Sequence, residues 1–302
     1  MKALLYATLI SLTLATTGCS WFSDKDAEDE TAGYTEKDFY DRIQESLDAS
    51  NWDLAIQNLQ LLESSFPFGR YAEQAQLELI FAYYRSGDEE AAIAAADRFI
   101  RLHPQHPNVD YAYYMKGLAQ YRQSAGMLDS YLPTDATKRD TASARNTFAT
   151  LNEMLARFPD SPYAADAHKR LVFLRNQFAR SEIHAANYYF KRNAYLAAYN
   201  RGRYVVENFQ KSPAVPDALA VMAQALHMMG EYEQAEEAAT VLASNFPDYP
   251  ALDNGKFDYE YYLSQGGFSW MNLMTLGIYG RTKAPEFNTR DKYNAIYQDS
   301  DD

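Results

Sequence analysis

The sequence predicts an all-α fold, a right-handed superhelical solenoid of about five consecutive helix pairs. Three observations predict it. Five segments close on an aromatic residue, four of them followed by proline: Phe66-Pro67, His103-Pro104, Phe158-Pro159, Phe209-Gln210 and Phe246-Pro247, spaced 37, 55, 51 and 37 residues apart. Eleven positions before each stands a small residue or a threonine: Ala55, Ala92, Thr147, Ala198 and Ala235. Apolar residues recur at helical intervals, and no comparable alternation marks strands. A small side chain where two helices cross lets their backbones approach, and proline ends a helix because it lacks the amide donor.

The elements follow in chain order. Lys2 precedes an uncharged apolar run, Ala3 to Ala15, too short to span a hydrocarbon core of about 30 Å. It reads as a secretory signal peptide over 1–18. Leu14-Ala15-Thr16-Thr17-Gly18-Cys19 resembles the bacterial lipobox, with Thr16 where that motif has Leu, and Cys19 is the chain's single cysteine. Cys19 is therefore the expected lipidation site, since acyl chains at about 0.8 kcal/mol per buried CH₂ hold a protein at a membrane surface. Ser20, rather than an aspartate, follows it, which favours the outer membrane by resemblance to sorted lipoproteins. The acid-rich stretch 19–33 reads as a solvated tether.

The solenoid is expected over 34–250 and looks like tetratricopeptide repeats. The repeats 73–104 and 216–247 match that pattern best; 36–67 and 179–210 match it less closely. The third carries an inserted loop, Ser124–Asp140. Gly87 and Gly230 lie five residues before Ala92 and Ala235, where the turn between paired helices favours a left-handed residue. Residues 251–302 read as a C-terminal extension: a capping helix over the last repeat, then a disordered tail.

The 302-residue chain carries 28 Lys+Arg against 41 Asp+Glu, a net charge of −13, which argues against a nucleic-acid binder. One cysteine excludes a disulfide framework within the chain. The five histidines form no ligand pair on one helical face, and no nucleophile elbow or phosphate-cradling loop occurs, so no catalytic residue, metal or cofactor is expected. A helix-pair superhelix instead offers a concave groove built from its first helices. Repeat register points Gln74, Leu77, Phe81, Tyr84, Tyr111, Tyr114, Leu118 and Tyr121 into it. Phe81, Tyr84, Tyr111, Tyr114 and Tyr121 are the candidate peptide-groove residues, since rings provide contact area at low entropic cost. Arg201, after Asn200 and three residues beyond the crossing Ala198, is expected off the buried seam, where it could meet a partner carboxylate.

The segments FPFGRYAEQAQLELIFAYYRSGD (66–88), DRFIRLHPQHPNVDYAYYMKGL (97–118) and HKRLVFLRNQF (168–178), with the lipobox and the five-repeat layout, resemble the BamD family of the outer-membrane β-barrel assembly machine. The resemblance covers about 34–247. It implies a non-enzymatic lipoprotein scaffold on the periplasmic face of the bacterial outer membrane. Its partners would be the POTRA region of BamA, other assembly-machine lipoproteins and unfolded outer-membrane β-barrel proteins. By the same resemblance Asn200 and Arg201 fall in the partner-binding region, and the first repeats form the substrate groove. Two other readings stay open: a tetratricopeptide lipoprotein coordinating peptidoglycan or envelope proteins, and a cell-wall hydrolase.

Overall fold

One turn recurs five times along the chain. At Phe66, His103, Phe158, Phe209 and Phe246 the backbone N–H reaches back four residues to a carbonyl at 2.8 Å and ends the helix. Three residues on, the N–H of Gly69, His106, Ser161, Ser212 and Tyr249 returns to that residue's own carbonyl. Gln210 supports the same turn as the four prolines, so local hydrogen bonding sets the geometry and proline reinforces it.

The structure, a computed structural model, describes residues 33–124, 142–264, 284–290 and 292. The signal peptide, Cys19, nearly all of the tether and of the Ser124–Asp140 insertion, and the rest of the tail lie outside these residues. The helices are α1 (Glu36–Asp48), α2 (Trp52–Ser65), α3 (Ala72–Ser86), α4 (Glu89–Leu102), α5 (Val109–Ser124), α6 (Ala142–Arg157), α7 (Ala164–Lys191), α8 (Tyr195–Asn208), α9 (Val215–Met229), α10 (Tyr232–Asn245) and α11 (Tyr261–Ser264). Two short strands, β1 (Leu252–Asp253) and β2 (Lys256–Phe257), pair antiparallel between α10 and α11. The fold is all-α in tetratricopeptide style, with successive helices packed on their neighbours.

The chain divides into two compact units, 1–86 and 87–302. In the first, α1–α3 bury Phe39, Ile43, Leu59, Leu62 and Leu79. Thr35 starts α1 with a capping box: its hydroxyl accepts from the Asp38 N–H while the Asp38 carboxylate accepts from the Thr35 N–H. In the second unit, α7–α10 and the hairpin share a core that includes Ile183, Phe190, Val205, Leu242, Tyr249, Phe257 and Phe287. All five crossing residues, Ala55, Ala92, Thr147, Ala198 and Ala235, are wholly buried. At Gly202, one turn beyond Ala198, an added Cβ would stand 2.8 Å from the Ala218 carbonyl, so α8 and α9 approach through a residue with no side chain.

Two features depart from the sequence reading. A single 28-residue helix, α7, runs through position 179, where the repeat register starts a new unit. It contains no glycine or proline to break it, and its extra length accounts for the 51-residue spacing. The extension starts with a hairpin rather than a capping helix. Asn254 and Gly255 take positive φ of 51° and 78°, the pairing that a tight two-residue hairpin turn needs.

The left-handed position five residues before the crossing residue occurs four times: Ser50 (φ 55°), Gly87 (86°), Asn193 (56°) and Gly230 (87°). Gly87 and Gly230 stand where the sequence predicts. Ser50 and Asn193 take the same conformation at a steric cost that a Cβ imposes. Ser50→Gly is therefore expected to stabilise the protein by about 0.5 kcal/mol, with a smaller gain for Asn193→Gly because asparagine tolerates this region. A rise in the urea midpoint checks both.

Candidate functional site

The first helices carry most of the half-exposed aromatic and polar side chains, and each unit builds the same device from them. In the first unit Tyr40 on α1 stacks on Tyr71 at 4.3 Å between ring centroids, the planes 11° apart. The Tyr40 hydroxyl donates to Glu78 Oε1 at 3.0 Å, and the Gln44 and Gln74 amides donate to the same carboxylate. In the second unit Tyr114 on α5 stacks on Tyr163 at 4.8 Å and 14°. Its hydroxyl donates to Asp166 Oδ2 at 2.8 Å, which also accepts from Arg170 Nε. Tyr71 and Tyr163 each occupy the fourth place after a repeat-closing proline, Pro67 and Pro159. That spacing was the available signal for both.

Burial, reinforced by the neighbouring carboxylate, pushes the Tyr40 and Tyr114 phenols up to about 12. Burial works against ionised Asp166, yet the hydrogen bonds from Arg170 and Tyr114 outweigh it and hold the carboxyl below its usual range. The phenols' raised values give a sign: an unfolded tyrosine ionises near 10 while the folded one stays neutral to about 12. Their contribution is complete below about pH 10 and is lost as pH rises to about 12. Tyr114→Phe is expected to flatten the fall of the urea midpoint between pH 10 and pH 12; an unchanged slope contradicts the assignment.

Of the groove candidates, Tyr111, Tyr114 and Tyr121 line one side of α5 and meet α7. Tyr111 lies 5.6 Å from Tyr163, and Tyr121 packs edge-on to Phe173 at 6.3 Å with Arg170 over its ring. Phe81 and Tyr84 sit half-buried on α3 in the other unit. Phe81 meets Trp52 edge-on at 5.8 Å, and the Arg85 guanidinium lies 4.7 Å from the Trp52 ring. Gln74 is exposed and Leu118 half-buried. Leu77 belongs to the core, a correction to the groove register. Alpha-helix α3 buries Ala75, Leu77, Leu79, Ile80 and Ala82 together, a stripe wide enough to include that position. Phe68, missed in the sequence, is 99% exposed in the turn after α2.

Asn200 is exposed. Arg201 is 43% exposed and already paired, its Nη1 donating to Glu182 Oε2 on α7 at 2.8 Å. The Glu182 hydrogen bond raises the Arg201 pKa above its ordinary value, and the guanidinium lies over the Tyr189 ring at 5.8 Å. The internal bond fixes the head group while leaving part of it open to solvent. On α8–α10 an open groove of about 660 Å³ is lined by Tyr199, Val206, Leu219, Met222, Leu226 and Val241, with Glu233 and Glu237 at its edge. Among the described residues no group of three or more His, Cys, Asp or Glu could hold a metal ion. No described helix is long and apolar enough to cross a membrane.

A stack of helix pairs with half-exposed rings and anchored charges can hold polypeptide, and the relatives of the chain agree with that capacity. The family described as "YfiO: Outer membrane lipoprotein" matches residues 33–242. An outer membrane protein assembly factor BamD of Neisseria meningitidis is 36% identical over 252 residues, 83% of this chain and 94% of that protein. A protein of the same name from Xylella fastidiosa is 34% identical, over 84% of this chain and 85% of its own. A third, from Vibrio cholerae, is 33% identical over 68% and 86%. The chain belongs to the YfiO outer membrane lipoprotein family, that of the BamD assembly factors.

Proposed function

We propose that this protein is an outer-membrane protein assembly factor, a non-enzymatic scaffold that binds other polypeptides. The observation that carries the reading is full-length similarity to proteins named as outer membrane protein assembly factors. In this reading acyl chains on Cys19 hold the protein at the periplasmic face of the outer membrane. It binds the POTRA region of BamA, helps dock other assembly-machine lipoproteins and engages unfolded β-barrel precursors. Asn200 and Arg201 contact the partner. Support comes from the part-exposed guanidinium, held in place by Glu182, and from the apolar groove that starts at Tyr199 on the same helix.

The precursor surface in this reading comprises Phe81, Tyr84, Tyr111, Tyr114 and Tyr121, with Phe68 beside them in function. A solvated phenylalanine gains about 2–3 kcal/mol when a partner covers it. Aromatic strands of a barrel precursor present unpaired edges that aggregate, and a preformed surface suppresses this by holding them. Affinity purification from detergent-solubilised envelopes tests the function. Co-purification of BamA supports it, and recovery of cell-wall enzymes alone contradicts it. Arg201→Glu places a carboxylate beside Glu182 and is expected to reduce BamA recovery at least tenfold with the circular-dichroism spectrum unchanged. Undiminished recovery at moderate salt contradicts the Arg201 role.

A further inference from the structure

The segment Ala284–Arg290 lies extended, and its burial alternates. Pro285, Phe287 and Thr289 are buried, while Glu286 and Asn288 are exposed. This is strand periodicity, although no neighbouring strand supplies it. Helix side chains do. Asn187 on α7 grips the backbone of Phe287 from both sides: its amide donates to the Phe287 carbonyl at 2.9 Å, and its own oxygen accepts the Phe287 N–H at 2.9 Å. Two residues on, Asp217 on α9 accepts the Thr289 N–H at 3.0 Å and the Thr289 hydroxyl at 2.9 Å.

These contacts divide into two kinds. The Asn187 bonds and the Thr289 N–H bond engage main chain, so they read an extended backbone and no residue identity. Pockets read the alternate side chains. Phe287 is fully buried, 5.4 Å from Phe190 and 4.4 Å from Tyr262, and Thr289 enters the Asp217 site. Main-chain bonds for affinity with alternate pockets for specificity is how extended peptides are recognised. The same pattern, with an aromatic on one face and period two, marks the strands of outer-membrane barrels.

We propose that this α7–α9 face is a strand-binding site that the chain's own Ala284–Arg290 fills, and that an extended, aromatic-alternating segment of an outer-membrane barrel polypeptide takes the same seat by displacing it. The client class rests on the assembly-factor reading. The resident segment belongs to the same chain, so its effective concentration is high, about millimolar for a short tether. A client strand therefore binds only when its own affinity or local concentration matches that.

The test uses the full mature chain and two labelled probes. One is the peptide KAPEFNTRD, residues 283–291; the other is a barrel-strand peptide with alternating aromatics, compared with its scrambled sequence. Phe287→Ala loosens the resident segment and is expected to bind both probes at least tenfold more tightly than the unsubstituted chain, and the scrambled peptide no better. Adding Asn187→Ala to Phe287→Ala is expected to abolish that gain. No gain, or a gain that ignores Asn187, overturns the proposal. Binding of KAPEFNTRD without preference for the barrel strand over its scramble also overturns it and leaves the assembly-factor reading standing.

Asn187-dependent capture of the barrel strand by a chain that co-purifies with no assembly protein has the opposite meaning: the seat stands and the functional reading fails. Should Phe287→Ala not fold, hydrogen exchange on the unsubstituted chain decides. Saturating barrel-strand peptide is expected to speed exchange at the Phe287 and Thr289 amides at least tenfold. Unchanged exchange overturns the proposal.

Discussion

Asp217→Ala is expected to destabilise the 87–302 unit by about 3–5 kcal/mol. Asp217 is fully buried and takes four hydrogen bonds, from Arg180 Nη1, the Tyr249 hydroxyl, and the Thr289 N–H and hydroxyl. Its ion-pair partner Arg180 is 1% exposed, so removing the carboxylate leaves a buried guanidinium without its counter-charge. That desolvated charge, rather than the lost contacts, makes the effect large. Burial, with the adjacent Asp217 charge, raises the Tyr249 pKa well above the ordinary phenol value. The Tyr249 hydroxyl is then a fixed neutral donor, also within 2.8 Å of Tyr262. Urea unfolding measures the loss, and exchange at the Thr289 amide is expected to rise with it. A shift below about 1 kcal/mol contradicts the hub.

Gly202→Val is expected to cost about 3 kcal/mol, with Gly202→Ala near the low end of the 1–3 kcal/mol range for overpacking. A Cβ there meets the Ala218 carbonyl at 2.8 Å, Val221 Cγ1 at 3.0 Å and Met222 Cγ at 3.1 Å. The first of these is backbone, so only a displacement of α9 against α8 relieves the contact. Gly69→Ala provides the contrast. Its Cβ meets only the end of the Glu36 side chain, which can swing aside at the cost of its bond from the Tyr71 N–H. Thermal unfolding of the three variants is expected to rank Gly202→Val below Gly202→Ala below Gly69→Ala. Equal melting temperatures for the two valine and alanine variants at 202 contradict the tight crossing.

The repeat was legible because its markers are local. Each crossing residue is fixed by the approach of two helices close in sequence, and all five are buried as their spacing implies. The left-handed turns were half legible, since glycine announces such a position and Ser50 and Asn193 do not. The Asn254-Gly255 hairpin had a signal in that dipeptide, hidden by the surrounding helical repeat. Leu77 was assigned to the groove because register alone does not say how wide a stripe a helix buries. Arg201 was placed off the seam, and it is indeed half exposed. Its bond to Glu182, nineteen residues earlier, depends on how α7 and α8 cross. Least legible was the seat of Ala284–Arg290. Asn187 and Phe287 are 100 residues apart, and Asp217 and Thr289 are 72 apart. No periodicity links polar groups that meet only after the helices have packed.

Controlled depletion in cells tests the central claim, that this chain works by holding membrane-protein precursors during their assembly. The quantity to follow is the folded fraction of outer-membrane barrels, read from their heat-dependent gel mobility. The account predicts that this fraction falls as the protein disappears, while unfolded precursors accumulate and peptidoglycan turnover stays constant. Barrels that fold at an undiminished rate throughout depletion would contradict it.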